Sequence, residues 1–121
     1  MDQIPKRIKS ALRQLAGEAH EEELRHALVP LSDAFQRWKR GDLPSGELTD
    51  LIHRFHQGPA RDLWVRYNSR MLEPVVAYAV VTGVLDRTKV PPEVLDFLAR
   101  AIQFYESEER DVPKKPERPT G

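Results

Sequence analysis

Proline recurs along this chain at nearly constant intervals, and that spacing limits what the chain can fold into. Successive prolines lie 14, 15, 15 and 17 residues apart, at Pro30, Pro44, Pro59, Pro74 and Pro91. Proline is tolerated in the first turn of a helix but breaks a helix interior, because it lacks an N–H and crowds the preceding turn. The spacing therefore predicts a succession of helices, each beginning near a proline.

Between these prolines, apolar residues recur every three to four positions, which is typical of helices that bury one face. A first helix is expected from Pro5 to Gly17, and a second from there to Gly41, with either a kink or a division into two pieces at Pro30. The stripe of the second helix has the spacing of a helix-packing face and is predicted to be buried: Leu24, Leu28, Leu31, Phe35 and Trp38.

The remaining segments predict three or four more helices. Ser45 is expected to cap the third, Gly58 to end it, and Pro59 to open a fourth that buries Trp64 among its apolar residues. The segment 74–85 is rich in valine, but a lone strand would have no partner, so a helix is expected there as well. A last helix is expected to start at Pro91.

The fold class expected from these patterns is all-α, an irregular bundle of five to six helices. One domain is predicted over 1–106, since a chain of 121 residues supplies one core. The segment 107–121 is expected to be a disordered tail, because Val112 is its only large apolar residue.

Composition excludes several classes of function. The chain has no cysteine, so it has neither a disulfide framework nor a thiolate metal site or nucleophile. Its 19 basic and 19 acidic residues leave a formal net charge of zero, so the field that draws proteins to nucleic acid or anionic lipid is missing. No apolar run approaches the length of a membrane span and no secretory signal is recognisable, so a cytoplasmic protein without membrane contact is expected.

Five positions have the spacing of metal ligands. Glu23 with His26, and Asp50 with His53, are acid-x-x-His pairs like those of di-iron bundles, yet they point away from the predicted apolar stripes. His53 and His56 remain weak candidates for a surface metal site. No strained turn accompanies any serine or threonine next to a histidine, so no catalytic residue and no cofactor are predicted, and a metal-dependent or hydrolytic enzyme ranks third.

Arginine beside tryptophan and tyrosine suggests a nucleic-acid surface as the second hypothesis. Arg61, Arg66 and Arg70 alternate with Trp64, and a tight turn at 57–59 would permit a helix-turn-helix. The zero net charge disfavours this interpretation.

Protein binding is the function that these residues favour most. Tryptophan and arginine are enriched at the centres of interfaces, and two groups of them stand out in this sequence. A small regulatory or interaction module is expected, binding a protein partner or a second copy of itself. The candidate residues are Phe35, Arg37, Trp38 and Arg40 in one group, and Arg61, Trp64, Arg66 and Arg70 in the other.

Overall fold

A computed structural model of the chain describes residues 4–111. Its regular structure is all helical, and no strand occurs in that range, so the predicted all-α bundle is confirmed. The elements are α1 (Lys6–Lys39), α2 (Ser45–Phe55), a π-helical segment (His56–Ala60), α3 (Arg61–Tyr67), α4 (Leu72–Val81), a 3₁₀ turn (Arg87–Lys89), α5 (Pro92–Phe97) and α6 (Ala99–Asp111). Helix α6 extends five residues past the expected boundary at 106, and the rest of the expected tail lies outside the described residues.

The first two predicted helices are a single helix of 34 residues, so the expected end at Gly17 is wrong. A glycine in a helix interior costs about 1 kcal/mol, whereas burying one large aliphatic side chain contributes about 1.5–3 kcal/mol. Leu12 and Leu15 before Gly17, and Ala19 after it, are all buried on the same side of α1. Helix α1 also continues through Pro30, which is exposed. Tertiary packing before and after Gly17 and Pro30 outweighs the low helix propensity of these two residues.

The turn expected at 57–59 is also absent, and with it the helix-turn-helix. Helices α2 and α3 form one rod, joined by the π-helical segment that contains Pro59. In a regular helix at 100° per residue, the buried positions Leu63 and Tyr67 would point about 100° away from Leu48, Leu51 and Phe55. A π-helical turn holds about one residue more than an α-turn, so it rotates the second stripe back into line with the first.

The core is divided into two clusters along α1. The main cluster joins the first half of α1 to α3, α4, α5 and α6. Its small residues Ala77 and Ala79 in α4 are fully or almost fully buried and let the neighbouring helices approach closely. The second cluster lies at the other end of the molecule, where the end of α1 packs against the connection to α2 and its first turns; its buried members are Ala34, Leu43 and Leu48.

Helix α4 confirms the choice of helix over strand for the valine-rich segment, with Pro74 as its third residue. Gly41 follows the end of α1 and Gly83 follows the end of α4, and their φ angles of 83° and 81° lie in the left-handed region that glycine adopts without strain. Ser45 does not cap α2 as predicted. It is the first residue of the helix, and its hydroxyl accepts a hydrogen bond from Trp38 Nε1 at 2.9 Å.

Candidate functional site

The predicted stripe of α1 is not buried as a whole. Ala27 and Ala34 turn toward α2 and α3, which places the larger residues of the stripe on the flank of α1. Leu28 remains 44% exposed, Phe35 37% and Trp38 40%. The prediction of a buried stripe therefore fails for these three positions, whereas Leu24 and Leu31 of the same stripe are partly buried.

Helix α1 and the α2–α3 rod lie side by side as a hairpin. Its contacts run from Trp38 and Ser45 at the closed end to His20 and Tyr67 at the other. One side of this hairpin carries a groove of about 590 Å³ between the two rods. The residues that line it are His20, Leu24, His56, Gln57, Ala60, Arg61, Trp64 and Val65.

Large apolar side chains are exposed along this same side of the hairpin. Trp64 is 60% exposed and Val65 is 56% exposed at the groove. Ile52, 39% exposed, lies one turn before the groove residue His56, and Leu28 lies one turn after Leu24. Phe35 lies two turns after Leu28 on the same flank of α1. We define the open face as the surface formed by five residues: Leu28, Phe35, Ile52, Trp64 and Val65.

The first group of interaction candidates lies at the closed end of the hairpin. Phe35 packs edge-to-face against Trp38 with the ring centroids 6.4 Å apart. The hydrogen bond from Trp38 to Ser45 ties α1 to α2, while Trp38 itself remains 40% exposed. Arg40 pairs with Asp42 in the connection, with Nε and Oδ2 3.3 Å apart, and Arg37 is exposed near the end of α1.

The arginines of the second group point to different surfaces. Arg61 lines the groove beside Trp64, and Arg66 lines a cavity on the opposite side of the rod together with Pro59. Arg70 lines a third cavity, next to the start of α4. These three arginines therefore line three different cavities.

A polar cluster that sequence reasoning missed connects α1 to α3. The Tyr67 hydroxyl donates to Glu23 Oε2 at 2.5 Å, and Arg66 Nη1 lies 3.1 Å from the same oxygen. The ring of His20 stacks on the ring of Tyr67, with centroids 5.1 Å apart. Burial, followed by the hydrogen bond and charge of Glu23, raises the pKa of the Tyr67 phenol. Glu23 and Arg66 stand in separate sequence patterns, and only the fold brings them together with Tyr67 and His20.

The metal-ligand pairs are not assembled into a site. His26 is exposed and its Nε2 lies 2.9 Å from Oε1 of Glu22, not of Glu23. Asp50 and His53 are exposed on α2, and His56 lines the groove. Within residues 4–111, no three histidine, aspartate or glutamate side chains come together in an arrangement that holds a metal ion.

Comparisons of the chain with protein-family models, with curated protein sequences and with solved structures found no match. Among residues 4–111, no helix combines the length and the apolar character needed to cross a bilayer, although α1 is long enough.

Proposed function

We propose that this chain is a non-catalytic interaction module that binds a helical segment of a protein partner across the open face. The observation that carries the proposal is that Leu28, Phe35, Ile52, Trp64 and Val65 are all at least 37% exposed on one side of the hairpin. Monomeric proteins rarely expose contiguous apolar surface of more than a few hundred Å², and larger patches mark binding sites.

The shape of the surface supports a helical partner. Two rods lie side by side with a groove between them, and an amphipathic helix binds such a groove through apolar residues three or four positions apart. Trp64 offers a large, rigid anchor in the lining of the groove, and Arg61, which also lines it, offers a positive charge. Apolar contacts at the centre and charge at the edge are the usual anatomy of a protein interface.

The test compares the open face with equally exposed apolar residues elsewhere. The double variant Leu28→Ser/Trp64→Ser removes the face, and Met71→Ser/Phe104→Ser is the matched control, since Met71 and Phe104 are 67% and 58% exposed on other surfaces. Proteins retained by immobilised wild-type and control chains, and lost from the face variant, are the expected partners. Retention of the same proteins by all three chains would contradict the proposal.

Direct engagement is then measured at Trp64. In a Trp38→Phe chain, Trp64 is the one remaining tryptophan of the two in the sequence. Adding a partner identified in the first experiment should protect Trp64 from quenching by acrylamide, because a residue at an interface centre is removed from solvent. Unchanged quenching at saturating partner would place binding elsewhere on the molecule and reject the open face.

A further inference from the structure

We infer that the open face binds a second copy of this chain, with the two α1 helices antiparallel and centred on residue 30. This inference rests on the proposed function, because it names the partner of the same surface. Each copy then supplies the helical segment that the other copy binds.

The residues along the exposed flank of α1 are complementary to themselves when reversed. The flank carries, at alternating spacings of four and three residues, Glu21, Arg25, Leu28, Ser32, Phe35 and Lys39. In an antiparallel pair centred on residue 30, Glu21 meets Lys39 of the second copy, Arg25 meets Phe35, and Leu28 meets Ser32. The first pair is an ion pair and the second is a cation–π contact, while the third places the small Ser32 against Leu28; each occurs twice because a two-fold axis relates the copies.

The charges of Glu21 and Lys39 on this flank can form ion pairs with a second copy. Glu21 contacts Arg25 of its own helix at 3.5 Å, but the two side chains are 65% and 74% exposed, so this pair contributes little to stability. Lys39 is exposed at the other end of the flank. A parallel arrangement would instead place Glu21 against Glu21 and Lys39 against Lys39, and such like-charge contacts oppose it.

The surface is large enough for a reversible dimer. From Glu18 to Lys39, α1 rises by about 30 Å at 1.5 Å per residue, and two helices side by side are about 20 Å wide. The face thus measures about 600 Å² per copy, or about 1,200 Å² in total, which is the lower limit for specific and stable interfaces. We therefore expect an equilibrium between monomer and dimer rather than a permanent dimer.

Sedimentation equilibrium of the full chain tests the inference. We expect dimers to form between about 1 μM and about 1 mM, the range of affinities expected for an interface of this size. The variants Glu21→Lys and Lys39→Glu should each weaken the dimer about tenfold, since two symmetry-related pairs become repulsive together. The double variant, which restores opposite charges across the axis, should recover the wild-type affinity.

Glu47→Lys is the control for net charge, because Glu47 is exposed on the side of α2 away from Ile52. It should leave the dimer unchanged. A monomer at every concentration, or a dimer that the double variant does not restore, would overturn the antiparallel arrangement.

The experiment separates failure of the inference from failure of the proposed function. A chain that stays monomeric but still captures proteins through Leu28 and Trp64 overturns only the second copy as partner. A dimer that persists in the Leu28→Ser/Trp64→Ser variant overturns the inference, because it forms through another surface. Both proposals are supported if the Leu28→Ser/Trp64→Ser variant loses the dimer and if the double charge variant recovers the affinity that each single charge variant loses.

Discussion

At the scale of single residues, the contact among Glu23, Arg66 and Tyr67 determines how α1 sits against α3. The phenol and the guanidinium both donate to one carboxylate, which lies at the edge of the main cluster. No charged or polar side chain among residues 4–109 is buried in that cluster, so apolar contacts alone leave the register of the helices weakly specified. The three polar groups supply directional contacts that only one register satisfies.

Tyr67→Phe should change how stability depends on alkaline pH. The raised pKa means that the folded chain keeps this phenol neutral where the unfolded chain has ionised it. The stabilisation is therefore complete below about pH 10, the ordinary tyrosine pKa, and is lost as pH rises above it. Urea unfolding of the wild type between pH 9 and pH 12 should show a decline steeper than that of Tyr67→Phe, by at most about 1.4 kcal/mol per pH unit.

The same substitution should cost about 1–2 kcal/mol at neutral pH, where the hydrogen bond to the charged Glu23 is lost. Tyr78→Phe is the control, since the Tyr78 ring packs against Tyr105 and is 42% exposed. It should keep the alkaline decline of the wild type. Equal slopes for the wild type and Tyr67→Phe would show that the phenol contributes no such dependence.

At the scale of the elements, the π-helical segment keeps one buried face continuous along the α2–α3 rod. Its five residues, His56–Ala60, contain both glycine and proline, the two poorest helix formers. Pro59 has no N–H to donate, so a regular helix here would lose a hydrogen bond and clash with the preceding turn. A wider turn at this point accommodates the proline and corrects the direction of the stripe.

Deletion of Pro59 should therefore be tolerated. Removing one residue converts the π-helical turn into a regular turn and keeps Leu63 and Tyr67 directed at the core. We expect the midpoint of urea unfolding to stay the same or to rise. Deletion of Asp50, an exposed residue in regular α2, should by contrast lower the midpoint, because it turns Leu51 and Phe55 by about 100°. Equal loss in both deletions would contradict this account.

Much of the helix arrangement follows from local signals in the sequence. Pro44 precedes α2, Pro74 lies in the first turn of α4, and Pro92 opens α5, as proline spacing predicts. Pro30 and Pro59 lie inside rods instead. The apolar stripe changes direction between Phe55 and Leu63, and this change indicates the irregular turn at Pro59. Nothing in the sequence near Pro30 indicates that α1 continues through it, because burial of distant side chains outweighs one proline.

The candidate site was predictable in kind but not in position. Phe35, Trp38 and Trp64 were identified from residue type, yet their helical periodicity predicted burial for all three. Their exposure depends on which flank of α1 meets α2 and α3, and this is determined by the small side chains Ala27 and Ala34 together with the register of the polar cluster. Residue type indicates what a surface can bind, whereas packing decides which side chains reach that surface.

At the scale of the whole molecule, the two clusters differ greatly in size. Among the residues that the structure describes, the main cluster contains sixteen buried residues and the second contains three, Ala34, Leu43 and Leu48. Local stability follows the apolar area that each region buries, so regions of one fold can open at different free energies. The closed end of the hairpin is thus the weaker part of the structure, although α1 runs through both.

Amide hydrogens should report this difference as two rates of exchange with deuterium. Those of α2 are expected to exchange at least about tenfold faster than those of α4, because opening at three buried residues requires only a fraction of the global unfolding free energy. Mass spectrometry of peptides from 45–55 and 72–81 measures both. Equal protection of the two peptides would mean that the helices unfold together, as a single cooperative unit.

The first half of α1 is thus firmly packed and its last turns are only weakly packed, and two of the five residues of the open face, Phe35 and Ile52, lie in the weakly packed part. A ligand bound to that face would slow amide exchange in Ser45–Phe55 before it changed exchange in the main cluster. Deuterium uptake in α2 should therefore detect a ligand on the open face, even one that binds too weakly to shift the melting temperature.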